Sequence, residues 1–344
     1  MAFVAPPGYQ PVYNPSIPYL GPIYGGLQPG SSVYIQGSTP EDMTRFRVNL
    51  LCGQTEDSDI ALHVNPRFDG WDKVVFNTKQ DGSWGDDDKI RKMPFRKGEN
   101  FELVIQVTAE GYNIKVNGQD FHTFEHRIHV AKVQAIQVAG DVKIQTINII
   151  GGGMGGGCPG GDMGGGYPGG NMGGGYPGGN MGGGYPGGNM GGGGYPESCL
   201  PGMGGQPVHN PPVPYQGMIP GGLSAKRTII IRGLLPFGGI RMAINFVVSK
   251  TNDIAFHLNP RVKDRTVVRN SKIGGKWGKE ERELKCNPFM EGEYFDMSIR
   301  CGNQKFKVFV NGQHALDFSH RTKLFNEVDR LEIEGDVQLS YIQF

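Results

Sequence analysis

The sequence predicts an all-β protein, two antiparallel β-sandwiches of jelly-roll type joined by a disordered glycine-rich linker. Three observations carry that expectation. Apolar residues alternate with period two in many short runs. Asn-Gly pairs sit between such runs, where type I′ hairpin turns need a positive φ. The whole pattern occurs twice, on either side of a glycine tract.

Along the chain, residues 1–16 read as a flexible N-terminal segment and residues 17–150 as a first strand-rich domain. Phe101–Val107 and Val142–Ile147 alternate as strands with one buried face, and Asn117-Gly118 marks a hairpin. Residues 151–206 form a linker in which Met163-Gly-Gly-Gly-Tyr-Pro-Gly-Gly-Asn171 repeats every nine residues. Such a segment buries too little apolar surface to offset its chain entropy, so disorder is expected, with a span of roughly 40 Å r.m.s.. Residues 207–344 are a second copy of the domain. Gly25-Gly26-Leu27 recurs as Gly221-Gly222-Leu223, Val116-Asn117-Gly118-Gln119 as Val310-Asn311-Gly312-Gln313, and Gly140-Asp141-Val142 as Gly335-Asp336-Val337. No long run has a helical period, which points to one sandwich core per copy.

Composition narrows the function. Of 57 glycines in 344 residues, 30 lie in 151–205, so the 37% hydrophobic content averages two different materials. The first domain carries 14 basic and 17 acidic side chains and the second 20 and 14, interspersed rather than clustered, which disfavours a nucleic-acid partner. No apolar stretch reaches the roughly 18 residues of a membrane helix, so no transmembrane segment is expected. The N-terminus lacks the basic and apolar regions of a signal peptide, and no Asn-x-Ser/Thr acceptor occurs. Cys52, Cys158, Cys199, Cys286 and Cys301 show no paired spacing, which disfavours a disulfide framework or zinc site; Cys286 and Cys301 are expected as buried small hydrophobes. No metal or cofactor is expected.

One constellation carries chemistry. Strand alternation puts His63, Asn65 and Arg67 on one face, with Leu62 and Val64 opposite; His257, Asn259 and Arg261 repeat this above Phe256 and Leu258. A lone histidine would read as a core residue, but three polar side chains on one face, twice, point to a solvent-accessible gripping surface. Asn77 and Asn270 follow on the next strand, and Trp84-Gly85 and Trp277-Gly278 beyond a turn. Glu280 and Arg282 then share one face of a further strand, with Glu281 opposite. An indole plate walled by paired donors and acceptors suits a pyranose, with its apolar C–H face and ring of hydroxyls.

His-x-Asn-Pro-Arg, Val-x-Asn and Trp-Gly-x-Glu-x-Arg, together with the two-copy layout, resemble the carbohydrate-recognition signature of the tandem-repeat galectins. The resemblance covers both copies. It implies a galectin-type jelly roll and calcium-free binding of β-galactosides of the lactose type. It also implies cross-linking of glycoproteins or glycolipids by a chain bivalent as a monomer, and a cytoplasmic and extracellular protein exported unconventionally. It assigns His257, Asn259 and Arg261 to the axial 4-hydroxyl of galactose, Asn270 and Glu280 to the 6-hydroxyl, Trp277 to the ring face, and Arg261, Glu280 and Arg282 to a charged network reaching the neighbouring sugar. The first copy matches at His63, Asn65, Arg67, Asn77 and Trp84 but has Asp87 and Lys89 for the glutamate and arginine. Aspartate is shorter and lysine lacks the planar fork, so the first site should bind lactose more weakly. Trp71, without a counterpart in the second copy, either lines an extended subsite or anchors its loop.

Two other functions compete. Glycoside hydrolysis needs two carboxylates flanking the bond, and the strand neighbours Glu280 and Glu281 face opposite ways, so an enzyme is not expected. A self-associating scaffold would instead use the repeated Tyr-Pro units of the linker, with sugar binding secondary.

Overall fold

The protein is described by a computed structural model over residues 9–151, 207–284, 286–322 and 325–344. The repeat array of the linker, with Cys158 and Cys199, lies outside these residues. Each copy is a sandwich of two antiparallel sheets. In the first, one sheet runs Tyr9–Tyr13, Lys143–Ile150, Ser32–Ser38, Asn100–Val107, Gly111–Val116 and Gln119–Glu125 in spatial order. The other runs Tyr19–Pro22, Ala135–Gly140, Phe46–Leu51, Ile60–Arg67, Lys73–Gln80 and Ser83–Trp84, and Asp88–Ile90 also pairs with Lys73–Gln80. The second copy repeats the scheme, with Met242–Val248, Asp253–Arg261, Thr266–Ile273 and Lys276–Trp277 in place of the last four strands of that order. The helical pieces among the described residues are single 3-10 turns, Val130–Lys132 and Phe325–Glu327.

The period-two pattern builds both cores. Val33, Ile35, Leu103 and Ile105 of one sheet meet Val48, Leu50, Leu62 and Val64 of the other. Ile229, Ile231, Met297, Ile244, Phe256 and Leu258 do the same in the second copy. The hairpins are as the sequence predicts: Asn117 and Gly118 take φ of 52° and 75°, and Asn311 and Gly312 take 49° and 76°. Two expectations are corrected. Tyr9–Tyr13, assigned to a flexible N-terminal segment, pairs with Thr146–Ile150 as an edge strand, because its Tyr and Val side chains have a neighbouring strand to pack on. Glu280–Arg282 forms no strand; only an isolated bridge joins Glu281 to Arg269, whereas the first copy has the three-residue strand Asp88–Ile90.

The repeated Gly-Asp-Val acquires a structural reason. Gly140 has φ +104°, and a Cβ there would lie 2.6 Å from Arg45 O. Gly335 has φ +99°, with Arg241 O at 2.4 Å from such a Cβ. The aspartate that follows clamps the same crossing: Asp141 Oδ2 accepts from Thr44 N (2.9 Å) and Arg45 N (3.2 Å), Asp336 Oδ2 from Ile240 N (2.8 Å) and Arg241 N (3.3 Å). These amides hold the Asp336 carboxyl below its usual range. Gly335→Ala should therefore cost about 1–3 kcal/mol from backbone strain alone. Urea unfolding of the full chain would show it as an earlier transition for the second domain, and an unchanged profile would refute the close-approach account.

Candidate functional site

The site is built by register. Antiparallel pairing sets Gln137 opposite Asn49, Asn49 opposite His63, and His63 opposite Asn77, so four polar side chains cross the sheet on the face away from the core. The second copy aligns Glu332, Asn245, His257 and Asn270. Trp84 is placed by its pairing with Lys79, and Trp277 by its pairing with Lys272.

These rows floor two cavities of similar size, about 610 Å³ and 630 Å³. The first is lined by His63, Asn65, Arg67, Asn77, Trp84 and Asp87, the second by His257, Asn259, Arg261, Asn270, Trp277 and Glu280. Lys89 and Arg282 are not in the linings; they act on the carboxylates that are. The gripping face is less accessible than expected: His63 is only 7% exposed, and Asn65, Asn77, Asn259 and Asn270 are buried. Flanking side chains wall the row, and the indoles stand above it, with Trp84 and Trp277 52% and 50% exposed. Each indole makes a corner with its histidine, at ring centroids 4.8 and 4.9 Å apart and interplanar angles of 61° and 66°.

Hydrogen bonds fix the histidine's chemistry. Asn49 Nδ2 donates to Gln137 Oε1 (2.8 Å), which leaves Asn49 Oδ1 as the acceptor for His63 Nδ1–H (2.6 Å). Nε2 then presents a lone pair to the cavity. His257 Nδ1 stands 2.6 Å from Asn245 Oδ1 in the same way. Burial, helped by Arg67 and Arg47, lowers His63 to about 4, and burial with Arg261 lowers His257 to about 4, so both rings are neutral near pH 7. Asn65 donates to Phe46 O, and its Oδ1 accepts from Arg67 Nε (2.6 Å); Asn259 and Arg261 repeat this at 2.9 Å. The guanidinium ends are thus aimed over the cavity.

The copies differ at the carboxylate. Arg282 Nε and Nη2 both donate to Glu280 Oε2 (2.9 and 2.5 Å), while Oε1 lies 3.8 Å from Arg261 Nη2. In the first copy Lys89 Nζ holds Asp87 Oδ2 at 3.0 Å, and Asp87 Oδ1 draws a hydrogen bond from Asn77 Nδ2 (2.7 Å). Asn77 also donates to Gly85 O (2.9 Å), so both its N–H groups are committed. Asn270 donates to Gly278 O (3.0 Å), and among the described residues no second acceptor is recorded for its amide. The cation partners hold both carboxyls below their usual range.

Sequence reasoning missed Asn49 and Asn245, which orient the histidines, and Arg127 and Arg321. Arg127 Nη1 reaches Asn77 Oδ1 (3.3 Å) and Asp86 O (2.7 Å); Arg321 reaches Asn270 Oδ1 (2.8 Å), Lys279 O (2.6 Å) and Glu281 Oε1 (2.9 Å). Both lie about 50 residues from the asparagine they hold, so only the fold brings them in. Glu281 is also tied to Arg269 and stays out of the lining, where Glu280 and Glu334 are the carboxylates. Trp71 is 76% exposed, with the Arg91 guanidinium 5.4 Å from its ring centre, in a hollow that Lys89 also lines. Cys301 is buried, and burial pushes its thiol up to about 11, but Cys286 is exposed, contrary to expectation.

Residues 18–149 and 214–344 each match the galactoside-binding lectin family. Over the whole length of both chains, the protein is 52% identical to galectin-4 of Sus scrofa and 51% identical to galectin-4 of Homo sapiens. It is 31% identical to galectin-8 of Rattus norvegicus over 95% of each chain. The chain belongs to the galactoside-binding lectins: it is a tandem-repeat galectin, a β-galactoside lectin and not an enzyme.

Proposed function

We propose that each cavity binds the galactose of a β-galactoside glycan, without a metal ion, and that the two together cross-link glycoproteins or glycolipids. The observation that carries this is the neutral histidine beside an aimed guanidinium, under a half-exposed indole. Nε2 of His63 or His257 accepts from the axial 4-hydroxyl of galactose, and Arg67 or Arg261 donates to its oxygen. Glucose carries that hydroxyl equatorially and leaves both groups unpaired, at about 1–3 kcal/mol per group. The tryptophan covers the apolar ring face, and Asn270 with Glu280 takes the 6-hydroxyl. Family membership favours this reading over a scaffold built on the linker repeats.

Calorimetry of the full chain with lactose should report two sites of unequal affinity, the tighter in the second domain. The cavities are of similar volume, so the difference lies in the committed amide of Asn77. Trp277→Ala should weaken the second site at least about tenfold, ~1.4 kcal/mol, with the far-UV spectrum unchanged; full retention of both sites would refute the stacking role. Asp87→Glu combined with Lys89→Arg should raise first-site affinity about 3- to 10-fold, close to the net contribution of one hydrogen bond. No gain would show that the first site is limited elsewhere.

The histidines set the pH response. A folded value of about 4 against an ordinary 6.5 means the unfolded chain takes up protons first, so folding stability falls as pH drops from 6.5 towards 4. Lactose affinity should stay flat from neutrality to about pH 5, where the folded rings are still neutral, and drop near the folded value. A loss of affinity centred at 6.5 would overturn the neutral-imidazole assignment.

A further inference from the structure

The sheet of each domain that does not carry a cavity has an outer face unlike a solvated surface. Tyr34, Gln36, Glu102 and Asn148 of the first domain point away from its core, yet all are buried. Ile230, Arg232, Asp296, Tyr341 and Gln343 of the second domain are buried likewise, on the side opposite Ile229, Ile231 and Phe295. Within a single sandwich such faces would meet water; they are covered because they cover each other. Tyr9, Tyr34, Val104 and Ile150 form one apolar cluster with Ile230 and Tyr341.

At its centre lies a charged group drawn from both domains. The Tyr9 hydroxyl reaches Asp296 Oδ1 and Oδ2 (2.6 and 2.5 Å), and the Tyr13 hydroxyl reaches Oδ2 at 3.1 Å. Arg232 is fully buried, with its guanidinium carbon 4.6 Å from the centre of the Tyr34 ring. Attraction to Asp296, and more weakly to Glu102, acts against the cost of its burial, although none of its guanidinium nitrogens has a hydrogen-bond partner among the described residues. Glu102 itself takes a hydrogen bond from Gln36 Nε2 (2.6 Å). At the rim, the Tyr34 hydroxyl meets His209 Nδ1 (2.7 Å), and Asn100 Nδ2 donates to Gly292 O.

We propose that the two domains of this chain dock back to back through these outer faces and move as one body whose two cavities open in opposite directions. The occupant is the other half of the same chain rather than a second copy. Both ends of the linker emerge at the contact: Ile150 belongs to the apolar cluster, and His209 rests on Tyr34. A tether whose ends already meet at the interface gives the partner domain a high effective concentration. The edge strand Tyr9–Tyr13 then has a purpose beyond its own sheet, since it carries two hydroxyls to Asp296. The opposed direction of the sugar sites rests on the lectin reading; the docking itself does not.

The test is small-angle scattering of the full chain, with Arg232→Glu made on one face and Tyr34→Lys on the other. Arg232→Glu would gather three carboxylates in the buried centre, and Tyr34→Lys would bury an ammonium in the apolar cluster. The unmodified chain should scatter as one compact particle of monomer mass at every concentration. Each variant should show a larger maximum dimension and a two-peaked distance distribution, with lactose affinity unchanged because neither residue lines either of the two sugar cavities. Two separated domains in the unmodified chain, or unchanged scattering in variants that still bind lactose, would overturn the proposal. A mass rising to that of a dimer would overturn the choice of partner. If one variant failed to fold, as loss of lactose binding would reveal, the other would decide. Absence of lactose binding by the unmodified chain would defeat the lectin reading and leave the scattering result standing.

Discussion

Strand register is the constraint on which the site depends. Each cavity floor is a row of residues from four adjacent strands, and a slip of one position would turn His63 into the core and bring Leu62 or Val64 to the surface. The buried apolar half of the alternation forbids that slip. Core packing therefore positions the cavity-facing groups to within a hydrogen bond, without any dedicated scaffold. The Gly140 and Gly335 crossings tighten the same arrangement from the other side, where an aspartate clamps the backbone just before Arg45 and Arg241.

On that common frame the two copies differ, at the carboxylate, by one methylene and one cation. Shortening Glu to Asp draws the carboxylate back onto Asn77, and exchanging Arg for Lys replaces two contacts on one oxygen by a single point charge. These exposed ion pairs contribute little to stability. Their effect is on which donors remain free for a ligand. The same economy explains Arg127 and Arg321, which hold the asparagine carbonyls so that the amide ends must face outward or towards a carboxylate.

Much of this was legible in the sequence. Alternation, the Asn-Gly hairpins and the internal repeat carry the two sandwiches, and the His-x-Asn-Pro-Arg, Asn and Trp residues line the cavities together. What stayed hidden has physical causes. Asn49 and Arg127 join the site through cross-strand pairing and a distant loop, which local patterns do not encode. Glu280–Arg282 alternates like a strand but lacks the cross-strand partners that Asp88–Ile90 finds in Val74–Phe76. Tyr9–Tyr13 looks like a tail because its partner strand lies more than a hundred residues away. The burial of Gln36 and Arg232 has no local sequence signal, because their covering comes from the other half of the chain.

The stacking order of the sheets also sets a length. With the two cavity-free sheets in the middle, the cavity-bearing sheets become the outer leaves of a four-layer slab, and sheets pack about 10 Å apart. Roughly 30 Å of folded protein then separates the two sugar floors. Two galactose-bearing surfaces bridged by this chain would be held apart by a rigid spacer rather than drawn together by a slack cord. The glycine repeats would govern how readily the halves find each other, and the sandwiches would govern the gap.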